Sequence, residues 1–207
     1  MTIIALPTNL LVSQHSFGVR RYDLTFAGGD TGSTQTVVLG PSRRTCSLTS
    51  PQLISAVDSV RWRALLHALG GRVNHLAVYD RLNSEPKGTA RGTWTASGAV
   101  VPGAKQMVIN AGVAQAGKTL LTGDWFGVNQ QGTNRQLLHV QADAVVAGNG
   151  LVTVFFESAL RSAVASGSAI AWDKPTCLMK SESDSDSWTV SSGYQGGFSL
   201  DLLEQWF

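Results

Sequence analysis

The sequence predicts a mainly β protein, and three observations carry that expectation. Glycine makes up 22 of 207 residues, as in chains of short strands joined by tight turns. Only 14% of residues are charged, too few for a helical bundle. From residue 81 to 171, short β-like runs alternate with glycine punctuation. The expected organisation is a sheet drawn from residues 1–80 and 172–207, carrying one packed helix, with an inserted β-domain over 81–171.

Residues 1–14 are apolar without clear period, and Pro7-Thr8-Asn9 reads as a turn, so this stretch is expected to be an arm that docks elsewhere. His15 to Phe26 alternates as a strand does and closes at Ala27-Gly28-Gly29-Asp30. Ser33 to Leu39 and Arg44 to Thr49 read as two more strands separated by Gly40-Pro41. Ser50-Pro51 then signals a helix start, placing a helix at about 51–69. Trp62, Leu65, Leu66 and Leu69 share one face of it and are predicted core, with Arg61, Arg63 and His67 off that face. Gly70-Gly71 supplies the left-handed stop. Leu53, Val57, Val60 and Ala64 form a second stripe, so either both sides are buried or the helix breaks near Asp58-Ser59. Val73 to Tyr79 is rich in β-formers and reads as the edge of a sheet covered by the tryptophan face.

Leu82 to Gly88 is a linker or long loop. The clearest strands of the insertion are Gln106–Ala111, Leu120–Asn129, Gln136–Val146 and Leu151–Glu157, the last two joined by the turn Gly148-Asn149-Gly150. Leu160 to Ala165 suggests a brief helical turn. Strands return at Thr176–Lys180, Trp188–Ser192 and Phe198–Phe207, around a serine-rich acidic turn, Ser181–Ser187, that reads as a solvated loop.

Composition also narrows function. The net charge of +2 argues against a general nucleic-acid binder or a membrane-surface protein. It hides a polarity: residues 1–105 hold eleven Lys/Arg and five Asp/Glu (+6), and residues 106–207 hold five and nine (−4), a hint of head-to-tail association. Cys46 and Cys177 are too few for a disulfide scaffold and read as buried free thiols. The N-terminus lacks the basic region of a signal peptide, and no window reaches the length of a membrane span, so a cytoplasmic origin without membrane insertion is expected.

There is no G-x-S-x-G, H-E-x-x-H or C-x-x-C. His15, His67, His75 and His139 stand in separate elements, and Asp124, Asp143 and Glu157 could converge as acid and base only by tertiary accident. The protein is therefore expected not to be an enzyme and to carry no cofactor. Two surface features stand out. Trp94 lies among Thr, Ser and Gly with little to pack on, a candidate sugar platform and the basis of an alternative reading as a carbohydrate-binding module. The pairs Arg20-Arg21 and Arg43-Arg44, in neighbouring strands, are either a solvated face or a contact to a ring neighbour or to passing DNA.

A family resemblance joins these pieces. Trp62-Arg63-Ala64-Leu65-Leu66-His67-Ala68-Leu69-Gly70-Gly71-Arg72-Val73-Asn74-His75-Leu76-Ala77-Val78-Tyr79-Asp80, followed by Pro86-Lys87-Gly88, resembles a pattern in tail proteins of long, non-contractile-tailed bacteriophages. Leu121 to Val128 with its Gly123-Asp124, Leu137 to Val140, Gly150 to Val154, Leu160-Arg161 and the ending Phe198 to Glu204 are similar to later stretches in that group, in the same order. Leu76 departs from it, standing where an aromatic is usual. The resemblance implies a distal-tail or tail-tip structural protein of the virion tail, made in the host bacterial cytoplasm. It further implies a ring, commonly a hexamer, whose β-sandwich domain (1–80 with 172–207) continues the tail tube. Residues 81–171 would form a small outward β-barrel, OB-like, facing the host. Its partners would be the tube, hub and fibre proteins, with DNA only as passing cargo.

Overall fold

The computed structural model describes residues 1–27, 29, 32–191 and 194–206, and the chain is mainly β with one α-helix among them. In chain order come β1 (Ile3–Ala5), β2 (Gln14–Ala27), β3 (Thr34–Thr49), α1 (Ala56–Leu69) and β4 (His75–Val78). Next are β5 (Trp94–Ala96), β6 (Gln106–Asn110), a 3-10 turn (Val113–Gln115), β7 (Thr119–Leu120) and β8 (Trp125–Val128). They are followed by β9 (Gln136–Val140), β10 (Ala144–Val145), β11 (Leu151–Glu157) and β12 (Ala169–Ile170). The last strands are β13 (Cys177–Ser181), β14 (Thr189–Ser191), β15 (Tyr194–Gly196) and β16 (Ser199–Glu204). Gly28 and Asp30 of the expected first turn, and the expected strand ends at 192 and 207, lie outside the described residues.

Two compact units divide the chain: Pro7–Asn74 with Met179–Gln205, and Met1–Leu6 with His75–Leu178 and Trp206. The expected boundaries fell at 80/81 and 171/172; these units divide after residues 6, 74, 178 and 205.

In the first unit β2 pairs with β3, β3 with β16, and β16 with the Met179–Ser181 part of β13, all antiparallel. Strands from both chain ends thus share one sheet. Helix α1 starts five residues later than Ser50-Pro51 suggested. Ser50 still belongs to the ladder, since its N–H donates to Phe198 O and its hydroxyl accepts from Phe198 N. The cap is Ser55, whose hydroxyl accepts from the Asp58 N–H and donates to the Asp58 carboxylate. Gly70 ends the helix in the left-handed conformation at φ 57°. Trp62, Leu65, Leu66 and Leu69 are buried, and the Trp62 ring stacks on Phe198 at 5.7 Å with its N–H donating to Leu11 O. Leu53, Val57 and Val60 are exposed: neither alternative for the second stripe holds, because it lies partly before the helix and faces solvent.

β3 also departs from expectation. Gly40-Pro41 does not break it; the strand runs unbroken from Thr34 to Thr49 against β2. The register shifts between Arg20 and Asp23, and Pro41 falls in that irregularity, where its missing N–H removes no ladder bond.

In the second unit the expected N-terminal arm is a strand: β1 pairs in parallel with β4, and Leu6 N donates to Ala77 O. β4 is therefore not an edge; it lies between β1 and β13 with all four residues buried. Residues 94–171 form a six-stranded sheet in the order β12-β5-β6-β11-β9-β8. Paired backbone bonds between Gly127 and Ala171 join its two ends into a nearly closed barrel. β6 and β11 alternate outward and inward, and the interior packs Trp94, Ile109, Val154, Phe126 and Phe156, the two phenylalanines edge to face at 5.8 Å. The run Leu120–Asn129 is split into β7 and β8 by a turn at Leu121–Asp124, and Gln136–Val146 into β9 and β10. No helical turn forms at Leu160–Ala165, because Leu160 donates to Ala104 and Val164 pairs with Val100.

Candidate functional site

The β2–β3 ribbon is the candidate assembly surface. Its register sets Leu24 opposite Val37 and Phe26 opposite Gln35, so Leu24, Phe26 and Val37 share one face. The other face carries Asp23, Thr25, Thr34 and Thr36, with Val38 opposite Asp23 and the Thr25 and Thr36 hydroxyls 3.3 Å apart. Such alternation belongs to a sheet with one face on a core. Here the apolar side is in the open: Leu24 is 46% exposed, Phe26 54% and Val37 39%, and beyond it Val38 on the other face and Leu39 in the register irregularity reach 75% and 66%. β2 also ends the sheet order, so among the described residues one side of this 14-residue, proline-free strand has no neighbour.

The four arginines lie at the base of the ribbon in different states. Arg20 and Arg43 are directly opposite in register, a like-charge pairing that destabilises a ladder unless offset. Glu182 offsets it with a two-pronged bond to the Arg20 guanidinium, at 2.6 and 3.3 Å. That bond is the first cause holding Arg20 above its ordinary pKa. Arg43 is half-buried with its guanidinium 5.8 Å from the Tyr22 ring centre, and Arg21, in the register irregularity, is exposed. Arg44 corrects the expectation: it is 6% exposed and its backbone N–H donates to the buried Glu204 carboxylate, so it is no surface contact. Buried positions alternate on β3 from Arg44 through Leu48, and Arg44 falls on the inward side.

Trp94 is a second correction. It is 1% exposed inside the barrel, its N–H donates to Arg91 O and its ring lies 6.2 Å from Trp172, so it offers no platform to a sugar. Its polar sequence neighbours hid a strand residue that points inward.

The carboxylates do structural work. Asp124 is buried, with one oxygen accepting from Lys87 N at 2.6 Å and the other from Gly88 N and Leu121 N at 3.1 and 2.8 Å. It ties the Pro86-Lys87-Gly88 loop to the turn before β8. Asp143 accepts from the Thr122 N–H and hydroxyl, which hold its pKa below the ordinary carboxylate value. Glu157 is exposed on β11 opposite His139, whose ring meets Trp125 edge to face at 4.6 Å. The His67 ring lies 6.0 Å from Trp188, and His75 is buried in β4. Among the described residues no three His, Cys, Asp or Glu side chains cluster as a metal site. No described helix is long and apolar enough to cross a membrane. Cys46 and Cys177 are buried free thiols.

Alternation along the sequence marks the ribbon's strands but not the exposure of their apolar face. Alternation shows that a strand has an apolar face; it does not show whether anything covers that face. No protein-family model matches the chain, and no curated protein matches it in sequence.

Proposed function

We propose that the protein is a structural component of a bacteriophage tail tip, of the distal-tail kind. It assembles as a homo-oligomeric ring, hexameric by the resemblance, that joins the tail tube to the hub and fibre proteins in the virion. The observation that carries this reading is the uncovered apolar face of the β2–β3 ribbon beside the unpaired edge of β2. A two-stranded ribbon is marginally stable by itself, and this one offers both a face and an edge to a neighbour. Covering about half of its exposed apolar surface recovers on the order of 5 kcal/mol at about 25 cal/mol per Å². Micromolar association needs about 8 kcal/mol net, so apolar cover and edge pairing must act together. A closed ring uses such edges without leaving one free.

The residues that carry the family resemblance also suit a structural part. Trp62 anchors the helix, Gly70 ends it, and Asp124 knits backbone to backbone. Arg21 and Arg43, at the ribbon base, are the arginines placed to meet a neighbour or passing DNA.

Light scattering and negative-stain microscopy of the purified chain test the reading. A ring several-fold heavier than 22.0 kDa is expected. A triple Leu24→Ser, Phe26→Ser, Val37→Ser variant should return it to monomer with the barrel unit's melting unchanged. A wild-type chain that stays monomeric at high concentration and is absent from virions would refute it.

A further inference from the structure

A cleft of about 520 Å³ opens on the barrel unit between the loop 129–134, just after β8, and the segments 162–163 and 168–169. Its loop is held from behind. The Gln130 amide accepts from the Thr176 N–H and hydroxyl and donates to Thr176 O, all at 2.9 Å. Arg135 donates to Gly132 O and to the Thr176 hydroxyl, both at 3.1 Å. Asn129 stands in the left-handed region at φ 52° and donates its amide N–H to Ala163 O. The loop is thus fixed before any ligand arrives.

The groups facing the cleft are left over from that scaffolding. Among the described residues, the side chains of Gln131, Thr133, Asn134, Ser162 and Ser168 make no hydrogen bond within the protein, and all five line the cleft. They offer amide and hydroxyl groups that both donate and accept. Among the described residues no charged and no aromatic one lines it. The two nearest arginines in sequence are engaged elsewhere: Arg135 as described, and Arg161 with its guanidinium 4.7 Å from the Trp206 ring centre.

An uncharged wall of unpaired amides and hydroxyls, with Ala163 and Ala169 as its apolar part, disfavours phosphates and carboxylates and gives a greasy ligand no aromatic contact. It complements adjacent hydroxyls, each a donor and an acceptor, and its volume falls among small-ligand sites of about 300–1,000 Å³. We infer that this cleft binds a neutral saccharide, such as the end of an uncharged surface glycan. The site is unrelated to Trp94 and stands or falls independently of ring assembly.

The test uses the full chain and saturation-transfer NMR against maltotriose, cellotriose, chitotriose and galactotriose, with trigalacturonate as the anionic control. The expected result is that one or more neutral probes bind with Kd at or below about 1 mM. Two variants locate the site: Gln131→Ala with Asn134→Ala removes exposed, unpaired amides without touching the core, and Ala163→Trp fills the cleft. Each should weaken binding about tenfold or more while leaving the circular dichroism melt unchanged, the first by removing hydrogen-bonding groups and the second by excluding the ligand. The inference is overturned if no neutral probe binds at about 20 mM, if binding survives both variants, or if trigalacturonate binds better than every neutral probe.

Discussion

Replacing Asp124 gives the sharpest test of how the barrel unit is held together. One carboxylate oxygen accepts from Lys87 N and the other from both Gly88 N and Leu121 N, in a side chain that is 3% exposed. Asp124→Ala leaves three backbone donors facing a void. At about 1–3 kcal/mol for each buried donor, less what entering water restores, the loss is about 3–5 kcal/mol. Asp124→Asn is nearly isosteric yet still fails. Whichever way the amide turns, its NH₂ faces at least one backbone N–H, for a loss of about 2–4 kcal/mol. Guanidinium unfolding followed by tryptophan fluorescence reads this well, because Trp125 is the next residue and donates to Asp80 at 3.2 Å. A 4 kcal/mol loss corresponds to a Tm drop of about 8–16 °C for a chain of this size. A change below about 1 kcal/mol for both variants would refute the account, since it would mean the three N–H groups are satisfied without the carboxylate.

Ser55→Ala removes the cap of α1 and should destabilise the first unit by about 1 kcal/mol, with helical ellipticity lost before sheet signal on heating. Gly88→Ala should prevent the barrel unit from folding as it does here, because a Cβ there would lie 2.3 Å from the Thr119 carbonyl oxygen; soluble, cooperatively melting protein would contradict that. Asp143 has a folded pKa below its unfolded one, so its bonds to Thr122 stabilise above the ordinary carboxylate range and are lost as pH falls through the lower, folded value. In Thr122→Val, which keeps only the backbone bond, an NMR titration should find the Asp143 midpoint moved up toward the ordinary value; an unmoved midpoint would assign the shift elsewhere.

Local rules read much of this fold and misread particular joints. The glycine stop after Leu69 and the Trp62 face follow from neighbours within one or two turns, which is where helix physics operates. Ser50-Pro51 looked like a helix start, but the Ser50 hydroxyl accepts from Phe198, 148 residues away. Gly40-Pro41 looked like a break, and a shift in register absorbed it. Trp94 looked exposed because its neighbours are polar, whereas strand parity turns it into the barrel.

By itself the sequence determined the β-rich composition, the helix and its stop, the strand alternation and the free thiols, because each depends on residue type and near neighbours. Only the tertiary structure decided which apolar faces are covered. Leu24, Phe26 and Val37 alternate as legibly as Met107 and Ile109, yet the first set faces solvent and the second fills a barrel. Burial is set by what other segments bring to the opposite side, and spacing along one strand carries no record of it.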